Sequence, residues 1–591
     1  MSNHPSEDQN QLSFSDLDIP VPIVESLPKL PPARKQTASS LRIRYKDFGA
    51  LSLADYEVFS SLPEHPLWGQ VGRLIDFSFA DELCAHLYAP RGQRPFAPSL
   101  KLKLHLVQVM ENLSDRQLEL RLMFDMAIKK FIGVPLSFTG LDHSTLGLDR
   151  ERMGDALFHA CFHYVLAQAK RYGLWGQDGD TWLIDSFATQ AHASRMGAQR
   201  LIEKGLLQIL HQLKRANYPL FQLAMEKLQC QTWRVRLPKG ASAEERAHAF
   251  HLLVVRAYSL LSWFEHGQAH TLFWQWSDAK RQLRSLELQA VLYTILQQNT
   301  RPVLPATDAS EPEPTFEKIP FKERPKDRIV SAVNPDLRFA VKRGTLHTDK
   351  IQVVQSHASD FLVEIEPIPG NEHDGKRTRQ LIDSVMDHHE TEPELVSGDT
   401  AYGYGVYRAQ LADAPYSLVT PIATPVNPSK LLSKEQFQYD AERDCFTCPQ
   451  GQITVHKKRN NVEAGNQYYF DAAACQACPI RDTCTTNEKG RSLFISDHYQ
   501  LTENAKAMNE TPKGQAALQA RNQVERKNNE LANHHAMRRP YARSRKKLRI
   551  FAKLKGMAVN VKLMVRKLGY RYTDPFVRHK NRQPRGAAAC V

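Results

Sequence analysis

The chain predicts an α/β protein with a helical front, a helical block set between strands, and a small cysteine-rich insertion. Three observations carry this. Apolar residues recur at helical spacing near residues 65–175 and again over roughly 198–300. Alternating, β-branched segments separated by turn residues begin at about 328. Five of the nine cysteines bunch between Cys445 and Cys484.

At 591 residues the chain exceeds what one core supports, so two to four domains are expected. The opening residues, to about 60, are polar, carry Pro and Ser, and read as disordered, with no signal-like start. No apolar run approaches the roughly 20 residues of a membrane span, which predicts a cytoplasmic protein without a membrane partner. The formal charge is +14, unevenly spread. From Arg521 to Val591 there are 20 Lys or Arg against three acids, a net of +17, which leaves the remainder slightly acidic. Apolar residues recur through this basic end ("KLRIFAKLKGMAVNVKLMVRKLG"), so it reads as folded and helical. A structured basic face predicts a polyanionic partner, most often nucleic acid.

Residues 61–175 read as a helical unit suited to DNA binding or oligomerisation. "SLKLKLHLVQVMENLSDRQLELRLMFDMAIKKFIG" breaks near "NLSD", where Ser114 or Asn112 can cap the next helix. A Ser/Thr/Asp cap then opens a long helix ending at Gly173. Over 176–197, "TWLIDSFATQAHA" gives a short apolar run (Trp182, Leu183, Ile184) that ends a strand on Asp185. Residues 198–325 read as an inserted helical domain with an exposed Pro- and acid-rich exit. Trp233, Trp263, Trp274 and Trp276 fall there, and core packing is the favoured reading for all four. Residues 326–425 alternate strands with the helices of "GKRTRQLIDSVMDHHE" and "YGVYRAQLADA". "LVSGDTAYGYG" places Asp399 at a second strand end, before a glycine-rich turn. Residues 499–570 carry Glu525 and basic helices, and 571–591 a basic tail.

Within 426–498, Cys445 and Cys448 form one C-x-x-C pair and Cys475 and Cys478 a second, about 26 residues on, with Cys484 as a spare or alternative ligand. That spacing predicts a structural zinc ribbon, because thiolates at such spacing can grip one tetrahedral ion. Disulfides are the weaker reading in a cytosolic protein. Cys84, Cys161, Cys230 and Cys590 read as incidental thiols.

Two acids at strand ends would need a third to complete a Mg²⁺ site, since Mg²⁺ takes oxygen ligands. Glu525 is the candidate, sharing a helix face with Arg521, Asn528 and Ala532. Alone, it reads as a surface acid paired with Arg521. Its neighbours in sequence argue otherwise. "NLSDRQLELRL", "FIGVP…LDHSTLGLDR", "WLIDSFATQAHA", "PIPGNEHD", "VSGDTAYG" and "RNQVER", in that order, resemble the DDE transposases of bacterial insertion sequences, in the branch with an InsH-type N-terminal domain.

The resemblance covers most of residues 65–568. It implies an RNase H-like mixed sheet flanked by helices, in which Asp185, Asp399 and Glu525 bind two Mg²⁺ ions, replaceable by Mn²⁺. It implies cleavage at terminal inverted repeats and strand transfer into target DNA, by a homodimer or larger synaptic assembly at the bacterial nucleoid. Of the family signature Tyr, Arg, Glu, Lys, the chain keeps Arg521 and Glu525 but has Leu518 and Ala532 at the outer positions. Arg521, Lys527, Arg538, Arg539, Arg543, Arg545, Lys546 and Lys547 are the expected DNA contacts, and Lys342 and His347 can reach phosphates. By analogy His373 and Asp374 lie near the catalytic face, although a simple turn before a helix is the favoured reading. A catalytically impaired DNA-binding relic and a nuclease without strand transfer are the alternatives.

Overall fold

The computed structural model describes residues 43–48, 51–190, 196–227, 240–265, 267–303, 315–342, 345–422, 431–461, 464–542 and 544–568. Five strands form the main sheet: β1 (Thr181–Thr189), β2 (Asp349–Ser356), β3 (Leu362–Pro369), β4 (Leu395–Ser397) and β5 (Ser417–Val419), in the order β3-β2-β1-β4-β5. β1, β2 and β3 form an antiparallel meander, whereas β4 and β5 run parallel to β1. Trp182, Leu183, Ile184, Ile351, Val353 and Val354 have no exposed surface. The apolar run in β1 therefore reflects a strand covered on both faces.

The N-terminal helices do not form a separate core. One apolar cluster runs from Trp68 and Leu104 through Phe162 and the sheet to Met557 and Val561 of the final helix, Arg545–Lys567. That helix lies against β3 closely enough that a Cβ on Gly556 would stand 2.9 Å from Ile365 and 3.1 Å from Phe162. Arg549 pairs with Glu366 of β3 and with Asp155 of the long helix His143–Arg171, each at 2.6 Å. The basic end is thus helical as expected, but it is a central packing element, with Lys553 and Lys555 buried.

The family-like motifs of the front prove to be its joints. Ser114 opens the helix Asp115–Phe124 with a reciprocal capping box to Gln117, while Asn112 takes a left-handed turn (φ 52°) and donates to the His534 carbonyl at 2.8 Å. Asp142 caps the long helix, which is interrupted at Gly154 (φ 72°). Asp149 is buried against Lys101 and His105. Removing one partner of such a buried pair costs about 3–5 kcal/mol, because the other charge is left uncompensated.

Between β1 and β2, the helices Ala198–Ala216, Tyr218–Lys227, Ala243–Glu265, Gly267–Trp274 and Ala279–Asn299 enclose a second core built on Ile209, Leu253, Leu292 and Ile295. Trp263 and Trp276 pack against it. Trp233 lies outside the described residues, as does the side chain of Trp274. The exit segment is not simply an open linker, since Thr300–Val303 pairs antiparallel with Thr315–Lys318. The alternation expected from 328 becomes regular only at the hairpin Ala340–Lys342 and Thr345–His347, where Lys342 and His347 end the two strands.

After β5, the strands Gln438–Asp440 and Cys445–Thr447 pair, and a three-stranded sheet (His456–Asn460, Gly465–Tyr469, Ser492–Ser496) adjoins them around Phe437, Phe446, Tyr468 and Leu493. Among the described residues, no helix is long and apolar enough to cross a membrane.

Candidate active site

Asp185 does not end its strand. β1 continues to Thr189 because β2 keeps pairing with it, Asp185 standing opposite Val353. What ends is the parallel pairing with β4, whose last pair is Leu183 with Ser397. Asp399 follows two residues beyond β4, so both acids sit where β1 and β4 part. Asp399 caps the short 3₁₀ turn Thr400–Gly403 and accepts from the Ala401 N–H at 2.9 Å. The turn requires glycine at 403, where a Cβ would lie 2.0 Å from Thr420 Oγ1.

Glu525 comes from the helix Asn522–Asn529. Val524, with no exposed surface, anchors that helix in the core, and Glu525 is exposed. One turn on, the buried Asn528 donates its Nδ2 to Asp185 Oδ2 at 2.9 Å. This bond ties the Glu525 helix directly to β1.

The three acids share one electric field. Burial pushes the Asp185 carboxyl up to about 6; repulsion from Asp399 and Glu525 adds to this, while the Ser186 N–H and the Arg521 guanidinium oppose it. Beneath them Tyr402, fully buried, is held well above the usual phenol range, first by burial and then by Asp374, Asp185 and Asp399. The triad is nevertheless spread. Among the described residues, it is not one of the groups whose ligating atoms all converge within 4.8 Å.

A fourth carboxylate adjoins the triad. Asp374 Oδ1 accepts from Ser186 Oγ at 3.0 Å and from Lys350 Nζ at 2.7 Å. His373 opens the turn before the helix Thr378–His389, as its simple reading expects, and packs against Tyr404 and Tyr407 at 4.7 and 4.9 Å. Burial lowers its pKa, against the pull of Asp374 and Asp399. Asn528 is a residue whose role the sequence left unassigned, and Asp374, for which a simple turn was the favoured reading, stands beside the acids. Their signals were the shared helix face with Glu525 and the position next to His373.

The expected DNA contacts divide. Arg521 is spent partly on Asp185. Lys527 is 6 % exposed and paired with Asp360 at 3.3 Å and Glu530 at 3.6 Å, so its charge is turned inward rather than towards DNA. Arg545 is half-buried on Asp349 at 3.3 Å. Arg538 and Arg539 are exposed, and Arg539 Nε donates to Gln190 Oε1 at 3.1 Å, beside the end of β1. Lys546 and Lys547 are exposed and line a groove with Asn112, Ser114, Arg150 and Tyr541. Arg543 lies outside the described residues. Leu518 packs beside Leu395 and Val419, and Ala532 is buried in a π-turn, Glu530–His534.

The cysteines gather differently from the expected pairs. Cys448, Cys475, Cys478 and Cys484 line one cavity, and Cys445 is not among them; among the described residues, their sulfurs, like the acids, are not one of the groups whose ligating atoms lie within 4.8 Å of one another. The Gln452 N–H donates to Cys448 Sγ at 3.3 Å. Burial pushes the Cys484 thiol up; Arg491 opposes this, and Cys475, Cys478 and Cys448 add to it. Cys84 and Cys161 are buried, whereas Cys230 and Cys590 lie outside the described residues.

Comparison with known families gives two matches. Residues 56–152 match a family described as a transposase domain (DUF772), and residues 447–565 match a transposase DDE domain. The second span holds Glu525 and the four cysteines of the cavity; Asp185, Asp399 and Cys445 lie outside both. No curated protein and no solved structure matches the chain.

Proposed function

We propose that this chain, which belongs with the insertion-sequence DDE transposases, cuts DNA at the ends of its element and joins them to a target through Asp185, Asp399 and Glu525. The observation that carries the reading is the meeting of three distant segments. Strand β1, the turn after β4 and a helix near residue 525 bring their acids into one field, tied by the bond from Asn528 to Asp185. The strand order β3-β2-β1-β4-β5, with an antiparallel meander and two parallel strands, supports the RNase H-like assignment.

Hard oxygen ligands suit Mg²⁺. Asp185, Asp399 and Glu525 would hold two such ions between them. Bound there, Mg²⁺ supplies Lewis acidity to an attacking water or 3′-hydroxyl and neutralises charge at the leaving 3′ oxygen. The protein's own part is positional. Asn528 fixes one oxygen of Asp185, the Ala401 N–H fixes Asp399, and Arg521 offsets the mutual repulsion of the acids. Arg538, Arg539, Arg543, Lys546 and Lys547 would hold backbone phosphates, and phosphoryl transfer needs little beyond such placement and charge neutralisation. A structural Zn²⁺ would sit on Cys448, Cys475, Cys478 and Cys484, whose mutual repulsion as thiolates it would relieve.

The test is cleavage of DNA carrying the inverted repeats that flank the gene. Nicking should require Mg²⁺ or Mn²⁺. It should vanish in Asp185→Ala, Asp399→Ala and Glu525→Ala while end binding persists, and pre-cleaved ends should be joined to target. Binding without metal-dependent cleavage would reduce the protein to a DNA-binding relic; cleavage without joining would make it a nuclease.

A further inference from the structure

Away from the acids, groups from three elements meet between the long helix, β3 and the helix Thr378–His389. His159 and His163, four residues apart and so on one helix face, converge with His388, with one ring nitrogen from each lying within 4.8 Å of the others. The ring centroids of His159 and His163 are 4.5 Å apart, those of His159 and His388 5.2 Å, and those of His163 and His388 4.1 Å. Glu364 of β3 closes the group, its Oε2 lying 3.4 Å from His163 Nε2 and 3.9 Å from His159 Nδ1.

The outer atoms of the cluster are already engaged, which leaves its inner atoms for a ligand. His388 Nδ1 donates to the Ser384 carbonyl at 2.6 Å, so its Nε2 carries a lone pair. His163 is 3 % exposed, and its Nδ1 bonds to His389 Nε2 at 2.9 Å. Its Nε2 makes no hydrogen bond of good geometry and faces the carboxylate. The other oxygen of Glu364 is taken by Lys553 and by the Ile365 N–H. With His163 Nδ1 donating to His389, the Nε2 lone pair faces the Glu364 carboxylate, an arrangement that a bound cation would bridge. Neutral imidazoles whose far nitrogens are held by hydrogen bonds are the usual arrangement of metal-ligating histidines.

We infer that His159, His163, His388 and Glu364 form a binding site for a borderline divalent ion such as Zn²⁺, Co²⁺ or Ni²⁺. Three nitrogens and one oxygen are a donor set that zinc takes, and they lack the all-oxygen shell that Mg²⁺ prefers. The ion would fasten the long N-terminal helix to the catalytic sheet at β3, independently of the acid triad and the cysteine cavity.

The test uses the full chain carrying Cys475→Ser and Cys478→Ser, which silences the thiol cavity. After stripping with chelator and exchange against Zn²⁺ or Co²⁺, metal content is measured, together with the cobalt absorption spectrum and the melting temperature. The parent should hold one equivalent that His388→Ala and His159→Ala each lose. Its cobalt spectrum should show d–d bands without thiolate charge transfer. Zn²⁺ should raise the melting temperature of the parent but not that of the variants, with the metal-free melting points of parent and variants matching. Equal metal content in parent and variants, or metal-free variants that already melt well below the parent, would leave only packed neutral imidazoles and overturn the site.

Discussion

A carboxylate is expensive to desolvate and more so beside two others, and Asp185 bears both costs, with its pKa pushed up to about 6. Asn528 partly offsets them by donating to Oδ2. Loss of a group that orients a metal ligand typically costs 10–100-fold in affinity or activity. Asn528→Ala should therefore lower the cleavage rate by roughly that factor, with end binding unchanged; a loss of binding without loss of rate would remove it from the site. Asp399 was legible only together with the other motifs, because a lone acid at a strand end before a glycine-rich turn is usually a cap, which Asp399 also is. Asn528 was not, since its role depends on where the Glu525 helix crosses β1, which periodicity does not encode.

At the scale of the element, the cysteine segment shows what spacing alone leaves out. Cys445 and Cys448 are three apart at an extended strand, Cys445–Thr447, and strand side chains alternate between faces. One of the pair therefore turns away from the cavity. Cys475 and Cys478, three apart through a helical turn, share a side, and the short helix Arg481–Cys484 brings in the fourth thiol. Cys484→Ser should lose the structural zinc and loosen the module, whereas Cys445→Ser should keep it, as read by metal content of the purified protein. The opposite result would restore the two-pair ribbon. In the final helix, composition showed one face and packing the other. Its basic residues suggested a DNA face, yet Leu548, Ile550, Leu554, Met557 and Val561 bury it between the front helices and β3. Apolar residues recurring through it were the sequence sign that it is folded.

At the scale of the whole molecule, the surplus charge of the C-terminal end is partly consumed within the fold, by Glu364, Glu366, Asp155 and Asp349. What remains outward, at Arg538, Arg539, Lys546 and Lys547, borders β1 and the groove beside the front helices. Each phosphate contact contributes roughly 0.9 to the slope of log affinity against log salt. Replacing both Lys546 and Lys547 by Ala should reduce that slope by about 1.8; an unchanged slope would move DNA elsewhere. The α/β class, the helical insertion and the basic helices were legible from periodicity and composition. The continuity of the front helices with the sheet was not, because it rests on pairings such as Arg549 with Asp155 and Glu366 that join residues far apart in the chain.

The central claim is that Asp185, Asp399 and Glu525 share metal ions, and localised oxidation tests it most directly. Fe²⁺ loaded in place of Mg²⁺, then given ascorbate and peroxide, cuts the polypeptide next to where it is held. The account predicts three clusters of cuts, near residues 185, 399 and 525, all suppressed together by excess Mg²⁺ and by Asp185→Ala. Cuts near only one of these three residues, or cuts near 185 and 525 that survive Asp185→Ala, would contradict it.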